Sequence, residues 1–527
     1  MTQQQPALWQ ARRERTGCRK RAKADQCRRW GWHGMEDKRT SNTELIGSIL
    51  ASARWVVVIR ICAQSFSWIV GIIVVRFISP VDYGLNAMLE APLELLMLFS
   101  TLGLDAALVR LRNIERDELQ SAFGWLLLVN GLLFLAYFLG GGLLAAYFRE
   151  PSLAPLAQLL AFIFVLGPFR VIPNALLNRD LKFKLIATVE LIASVASATV
   201  TLALAIMGFG VRALVLGVLT NLVLQAAILM VRQPWIVRPR LGSNTARRMM
   251  NFGGKVALFR ALAQLADKMV SIIAGPVLGA GILGTYSVSM GLALLPLSKT
   301  MAIINQIMFP SFSRLQDEPQ LAGYYLERSI GVMSIVLFPV MIGMACLADE
   351  FVEVVLGEVW VAAVMPLALL SLSMPFRTIT SLCRPALMGM GRIDLSLKSA
   401  QLTLLLLVPL LLLGVPYGLF GMVVACLVTE PTVALATIQL CKRAFGVSFA
   451  GMYRSLRPAI GSTAVMAACV LWSATAFEQS PGWLKLAGKV GVGAAVYLLV
   501  LRLVFVEQFH AALALLTGRQ RNEMLNR

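Results

Sequence analysis

Histidine is nearly missing from this chain: 527 residues contain two, His33 and His510. Neither lies inside a central apolar run, which argues against a histidine-based active site there. Acidic residues are few, 28 against 48 lysines and arginines. The eight cysteines are scattered without a C-x-x-C, and Cys18, Cys27 and His33 share a basic stretch at a spacing that fits no zinc pattern. Unpaired thiols and no metal site are expected. No G-x-x-x-x-G-K-S/T segment occurs, so neither a P-loop nor another cofactor is expected. Residues 1–40 are polar and basic with no apolar h-region, which excludes a secretory signal; Met35 is an alternative start. Large loops are lacking too. The longest connection between apolar runs, near 233–251, has room only for a linker. With no outward domain to carry catalytic groups, an enzyme is not expected.

What is abundant is apolar. Hydrophobic residues make up 58%, against about 45–50% in soluble domains, and mean hydropathy is +0.73. A soluble core cannot absorb that much, so the bilayer is the solvent. The sequence predicts an all-α polytopic membrane protein with about 14 spans of roughly 20 residues each. Among them are runs near 54–78, 83–109, 360–387, 456–478 and 484–506. The net charge of +20 sits between apolar runs and at the ends, which is orientation charge and not a nucleic-acid footprint. Alternate loops carry Arg110, Arg112 and Arg116, then Arg179 and Lys182, then Arg238 and Arg240, then Lys442 and Arg443. The opposite loops are poor in Lys and Arg, and one is acidic: Asp349, Glu350, Glu353 and Glu358. The positive-inside rule therefore puts both termini in the cytoplasm.

The chain also repeats itself. RICAQSFSWIVGIIVVRFIS (60–79) and RALAQLADKMVSIIAGPVLG (260–279) align without a gap, and Gly84 and Gly284 continue the match. Pro168-Phe169-Arg170 recurs as Pro375-Phe376-Arg377. An even number of helices per copy makes the copies parallel. The expected organisation is a basic, disordered cytoplasmic tail over 1–50, an N-lobe over 51–235 and a linker over 236–251. A C-lobe over 252–445, an extra helix pair over 446–508 and a tail over 509–527 follow.

Charge inside a membrane is costly and calls for a reason. Arg60 and Arg260 lie about two turns, roughly 9–12 Å, from the cytoplasmic ends of their helices, and Arg170 and Arg377 lie at similar depth. One such arginine would be read as snorkelling to headgroups. Four at matched repeat positions point to a cationic ring facing a central cavity, suited to bidentate phosphate. Asp267 and Lys268 form a local ion pair or part of the pathway. Glu90, Glu94, Glu190 and Glu430 carry protons or sodium, or pair with arginines. Lys299 is a further candidate for the cavity wall. Gln64 and Gln264 read as interhelical hydrogen-bond partners, with sugar contacts the alternative. Pro168 and Pro375 read as kinks, and Gly84 and Gly284 as close-packing positions after a turn.

FISPVDYGLNAM (77–88), ADKMVSIIAGPVLGAGILGTYSVS (266–289) and FPSFSRLQDEP (309–319) carry a resemblance. Over roughly residues 45–450 the chain resembles the polysaccharide transporter, or Wzx-type flippase, branch of the multidrug/oligosaccharidyl-lipid/polysaccharide (MOP) superfamily. That resemblance implies a V-shaped bundle of two six-helix lobes in the bacterial inner membrane. It implies a substrate, an oligosaccharide on undecaprenyl pyrophosphate destined for lipopolysaccharide, capsule or exopolysaccharide. It also implies work alongside a polysaccharide polymerase and a chain-length regulator. Related lipid II flippases carry arginines on the first and seventh helices, as Arg60 and Arg260 do, and use an extra helix pair as a lipid-tail groove. Gly275-Pro276 departs from the family, which often has an arginine after that glycine. The alternatives are a cation-coupled multidrug antiporter of the same superfamily and a membrane polysaccharide polymerase or ligase.

Overall fold

The computed structural model describes residues 63–101, 116–241 and 244–505 apart from isolated positions, with backbone alone over 244–263 and at several positions of 302–310. The N-terminal tail, Arg60 and the C-terminal tail lie outside the described residues.

Ten helical stretches are long and apolar enough to cross a membrane. Two of them each hold two spans. Asn244–Ser313 turns back at Gly279, whose φ of 78° is open mainly to glycine, giving α7 (244–278) and α8 (280–313). The stretch Ile393–Phe445 breaks at the short 3₁₀ turn Val415–Tyr417 into α11 (Ile393–Gly414) and α12 (Gly418–Phe445). Outside the ten lie a shorter apolar helix, α1 (Ala63–Phe77), and α2 (Pro80–Ser100), which carries Asp82, Glu90 and Glu94. The others are α3 (Arg116–Phe148), α4 (Leu153–Arg179), α5 (Phe183–Ile206), α6 (Val211–Arg232) and α9 (Pro319–Cys346). After them come α10 (Val364–Gly389), α13 (Phe449–Trp472) and α14 (Gly482–Val504). The described residues thus hold fourteen long helices, twelve of them within the ten stretches that are long and apolar enough to cross a membrane.

Sequence boundaries shift where capping and turn chemistry outweigh hydropathy. The second span starts at Pro80, capped by Ser79 accepting from the Asp82 amide, and ends at Ser100, short of the expected 109. The tenth starts at Val364, because residues 348–363 form short irregular helices ahead of it. Within the expected linker, helix begins at Asn244.

The two copies use the same packing. In the first, α3 packs on α4, α4 on α6 and α5 on α6; in the second, α9 packs on α10, α10 on α12 and α11 on α12. That is a parallel repeat. The extra pair packs on one side of it: α13 on α9, α14 on α13, and Tyr497 of α14 donates to the Ile335 carbonyl at 2.6 Å.

The copies share one apolar core where α1 meets α2. It joins Met88, Leu89 and Leu160 of the first copy to Ala274, Leu283 and Trp360 of the second. At the opposite end each copy keeps its own cluster, around Phe123 and Ile172 in one and around Leu382 and Phe445 in the other. Among the described residues the apolar cores of the halves are therefore welded at one end and separate at the other.

Candidate functional site

The weld depends on missing side chains. A Cβ on Gly84 would stand 1.8 Å from the Ala280 carbonyl oxygen, and one on Gly284 would stand 1.7 Å from that of Pro80. Repeat-related glycines let α2 and α8 cross backbone to backbone, as expected of them. Segment 348–363 adds a second contact. Trp360 is buried, its indole N–H donates to the Val75 carbonyl at 2.9 Å, and Tyr83 meets its ring edge-on at 5.6 Å. Arg76 donates to the carbonyls of Val354 and Val355. Sequence reading missed this segment, since its acidic loop carries no apolar period.

Further along the bundle the polar groups follow helix geometry. Residues four apart share a face and neighbours diverge. Gln264 and Lys268 of α7 are four apart, and both reach Glu94 of α2: Gln264 donates to it at 2.5 Å and Lys268 pairs with it at 2.8 Å. Asp267 points elsewhere and pairs with Arg377 of α10 at 2.5 Å. A local Asp267–Lys268 pair is therefore not what forms. Each residue serves a different neighbour, because adjacent positions are about 100° apart around a helix. Gln264 is an interhelical partner, as its residue type indicated, and Gln64 on α1 is half-buried.

Arg377 is held twice. It pairs with Asp267 at 2.5 Å and with Glu430 of α12 at 3.0 Å. These groups line a small cavity of about 30 Å³, partly open to its surroundings, with Tyr286, Thr403, Cys426 and Thr429. Arg384, seven residues beyond Arg377, hydrogen-bonds to Ser399 and Thr403 of α11, and Ser399 Oγ meets Thr437 Oγ1 at 2.8 Å. Sequence reasoning passed over Arg384, although its spacing from Arg377 places both on one face. With all four groups ionised, the charges of Asp267, Glu430, Arg377 and Arg384 cancel.

The other candidates are more dispersed. Arg170 of α4 is half-buried, with Glu190 of α5 in electrostatic reach. Glu90 accepts from Asn86 at 2.8 Å, one turn back on its own helix. Lys299 lies over the Trp68 ring of α1, 5.1 Å from its centroid, so it bridges the copies. Arg260 lies in the backbone-only part of α7. Pro168 and Pro375 sit inside continuous helices. Among the described residues no group of three metal-ligating side chains occurs.

Residues 73–365 match the family described as polysaccharide biosynthesis protein. The chain belongs to that family. It is 25% identical over 368 residues to the lipopolysaccharide biosynthesis protein WzxC of Escherichia coli (strain K12), covering 69% of this chain and 75% of that one. It is 24% identical over 325 residues to the succinoglycan biosynthesis transport protein ExoT of Rhizobium meliloti (strain 1021), covering 61% of this chain and 65% of that one. Among solved structures, the fold resembles the lipid II flippase MurJ in an inward closed conformation. That match has a TM-score of 0.68 and 15% identity, over 86% of this chain and 99% of that one. It also resembles an inward-facing multidrug resistance MATE family transporter of the MOP superfamily. There the TM-score is 0.56 and the identity 15%, over 73% of this chain and 94% of that one.

Proposed function

We propose that this chain is a flippase that carries polyprenyl-pyrophosphate-linked oligosaccharides across the bacterial inner membrane for surface polysaccharide assembly. The carrying observation is the arginine that recurs at one repeat position, Arg170 in α4 and Arg377 in α10, within a member of this family. The positive-inside pattern puts the welded end toward the periplasm and both termini in the cytoplasm. The separately packed end then faces the cytoplasmic leaflet, where such a substrate is made. Arg60 and Arg260, at matched positions of the sequence repeat, complete a cationic ring with Arg170 and Arg377. The ring takes the pyrophosphate, the sugar enters the space between the lobes and the polyprenyl tail stays in lipid. Asp267, Lys268, Lys299, Gln64, Gln264, Glu90, Glu94 and Glu190 line the pathway or couple it to an ion gradient. Membrane potential is an adequate source of energy, about 2.3 kcal/mol per charge per 100 mV.

A polysaccharide polymerase and a chain-length regulator are the expected neighbours. Intramembrane carboxylates at Asp267 and Glu430 favour a second reading, a cation-coupled drug antiporter, but both already hold Arg377. Single Arg60→Ala, Arg170→Ala, Arg260→Ala and Arg377→Ala variants test the ring in a strain lacking its flippase. Each is expected to insert in the membrane and to lose complementation. Four variants that insert and complement fully would refute the ring. Reconstituted vesicles separate activities: a flippase moves lipid-linked glycan without lengthening it, whereas a polymerase lengthens it.

A further inference from the structure

Arg384 is a cation within the membrane whose hydrogen-bond partners, among the described residues, are all neutral. Its Nε donates to Ser399 Oγ at 3.2 Å, and its Nη2 donates to the Ser399 carbonyl at 3.3 Å and to Thr403 Oγ1 at 2.8 Å. Among the described residues no carboxylate forms an ion pair with it. Holding a guanidinium this way inside a bilayer is expensive and needs a compensating use. Glu430, and less strongly Asp267, are the acids in its electrostatic reach. Thr403, which Arg384 touches, lines the same cavity as Glu430 and Arg377, so the space beside it leads to Glu430.

We propose that Arg384 is the exchange counter-ion of Glu430: when an anionic diphosphate recruits Arg377, Glu430 passes from Arg377 to Arg384. This rests on the reading that Arg377 serves phosphate. Arg377 cannot turn to a ligand without leaving two acids behind. Asp267 is 48% exposed and is solvated when released, whereas Glu430 is 13% exposed and is not. Only Glu430 needs a replacement cation. Arg384 stands two turns along the same helix on the same face. The bonds it gives up are to neutral groups, weaker than the charge-assisted pair it gains. The groups it leaves stay satisfied, since Ser399 Oγ keeps Thr437 Oγ1 at 2.8 Å and the Ser399 carbonyl keeps the Thr403 hydroxyl at 3.0 Å. Arg384 is a positioning residue, acting through Glu430 without touching substrate.

The test is inorganic pyrophosphate binding, by calorimetry, to the full chain in lipid nanodiscs. Arg384→Gln is expected to weaken binding about tenfold or more, a cost of about 1.4 kcal/mol. Arg384→Lys is expected to stay near wild type. Arg384→Gln with Glu430→Gln is expected to recover, because no buried carboxylate then needs a cation. A merely structural Arg384 gives no such rescue. Normal binding by Arg384→Gln, or a double variant no better than the single, overturns the exchange. If Arg384→Gln alone does not fold, the double variant is compared with Glu430→Gln: equal affinity supports the exchange and a drop overturns it. The phosphate reading fails separately, and the exchange with it, if wild type does not bind or Arg377→Gln binds as tightly as wild type.

Discussion

Both halves carry the same Pro-Phe-Arg segment, at 168–170 in α4 and at 375–377 in α10, and they surround it differently. In the first half Phe169 packs edge-on against Phe123 at 6.1 Å, in an apolar cluster with Ile172 and Trp235. In the second, Phe376 is 37% exposed and the arginine sits between two acids. The residues at related positions account for this. Where α7 has Asp267, the aligned position of α1 is Ser67. Seven residues beyond the arginines stand Leu177, fully buried, and Arg384. Counting from Gly210 and Gly418, the positive-φ glycines that open α6 and α12, Leu222 stands where Glu430 does. Duplication kept the backbone arrangement and the arginine. Among the described residues the second half sets two acids, Asp267 and Glu430, against its arginine, whereas the first sets Glu190 of α5 in electrostatic reach of Arg170. A repeated residue therefore does not imply a repeated electrostatic environment.

Exchanging residues between the halves is the strongest way to break this comparison. Leu177→Arg puts a guanidinium into an apolar site and is expected to cost several kcal/mol, about 3–5, leaving no monodisperse protein on size-exclusion chromatography. The reverse change, Arg384→Leu, replaces a costly buried cation and is expected to shift stability by less than about 1–2 kcal/mol. With Arg384→Gln present to remove the replacement cation, Arg377→Ala strands Glu430 and is expected to lose about 3–5 kcal/mol in detergent unfolding, more than twice the loss from Arg170→Ala. Equal losses would show that the asymmetry has no energetic weight. Gly284→Ala forces α2 and α8 apart and is expected to cost about 1–3 kcal/mol. Cysteine pairs across the weld should then cross-link more slowly. Gly71→Ala in α1, with nothing within 4 Å, serves as the control. The smallest effect is expected from Asp267→Ser, which installs the first half's residue. Asp267 is half exposed, so its loss should cost about 1 kcal/mol or less.

Much of the fold was legible beforehand, since hydropathy, loop charge and repeat spacing are local properties. The glycines at 84 and 284 were legible as close-packing positions. That they pack on one another was not, because the contact joins different copies. The site was half legible. Intramembrane charge marked Arg377, Asp267, Glu94, Lys268 and Glu430, yet which charge meets which depends on the rotation of each helix about its axis. Arg384 was passed over because it repeats nothing in the first half. The acidic loop at 349–358 was read only as orientation charge, and it folds into the segment that places Trp360 against Val75.

By itself, then, the sequence determined a polytopic helical bundle of two parallel copies with arginines at repeated positions. Those properties follow from the cost of placing polar groups in lipid, which composition and periodicity record directly. Only the tertiary structure decided that the copies share a core at one end and keep separate ones at the other. It alone decided that adjacent Asp267 and Lys268 serve different neighbours, and that Arg377 is held while Arg384 lacks an acid. These are matters of which helix faces which. Pairing across about 4 Å is set by packing between segments 53 to 170 residues apart in the chain.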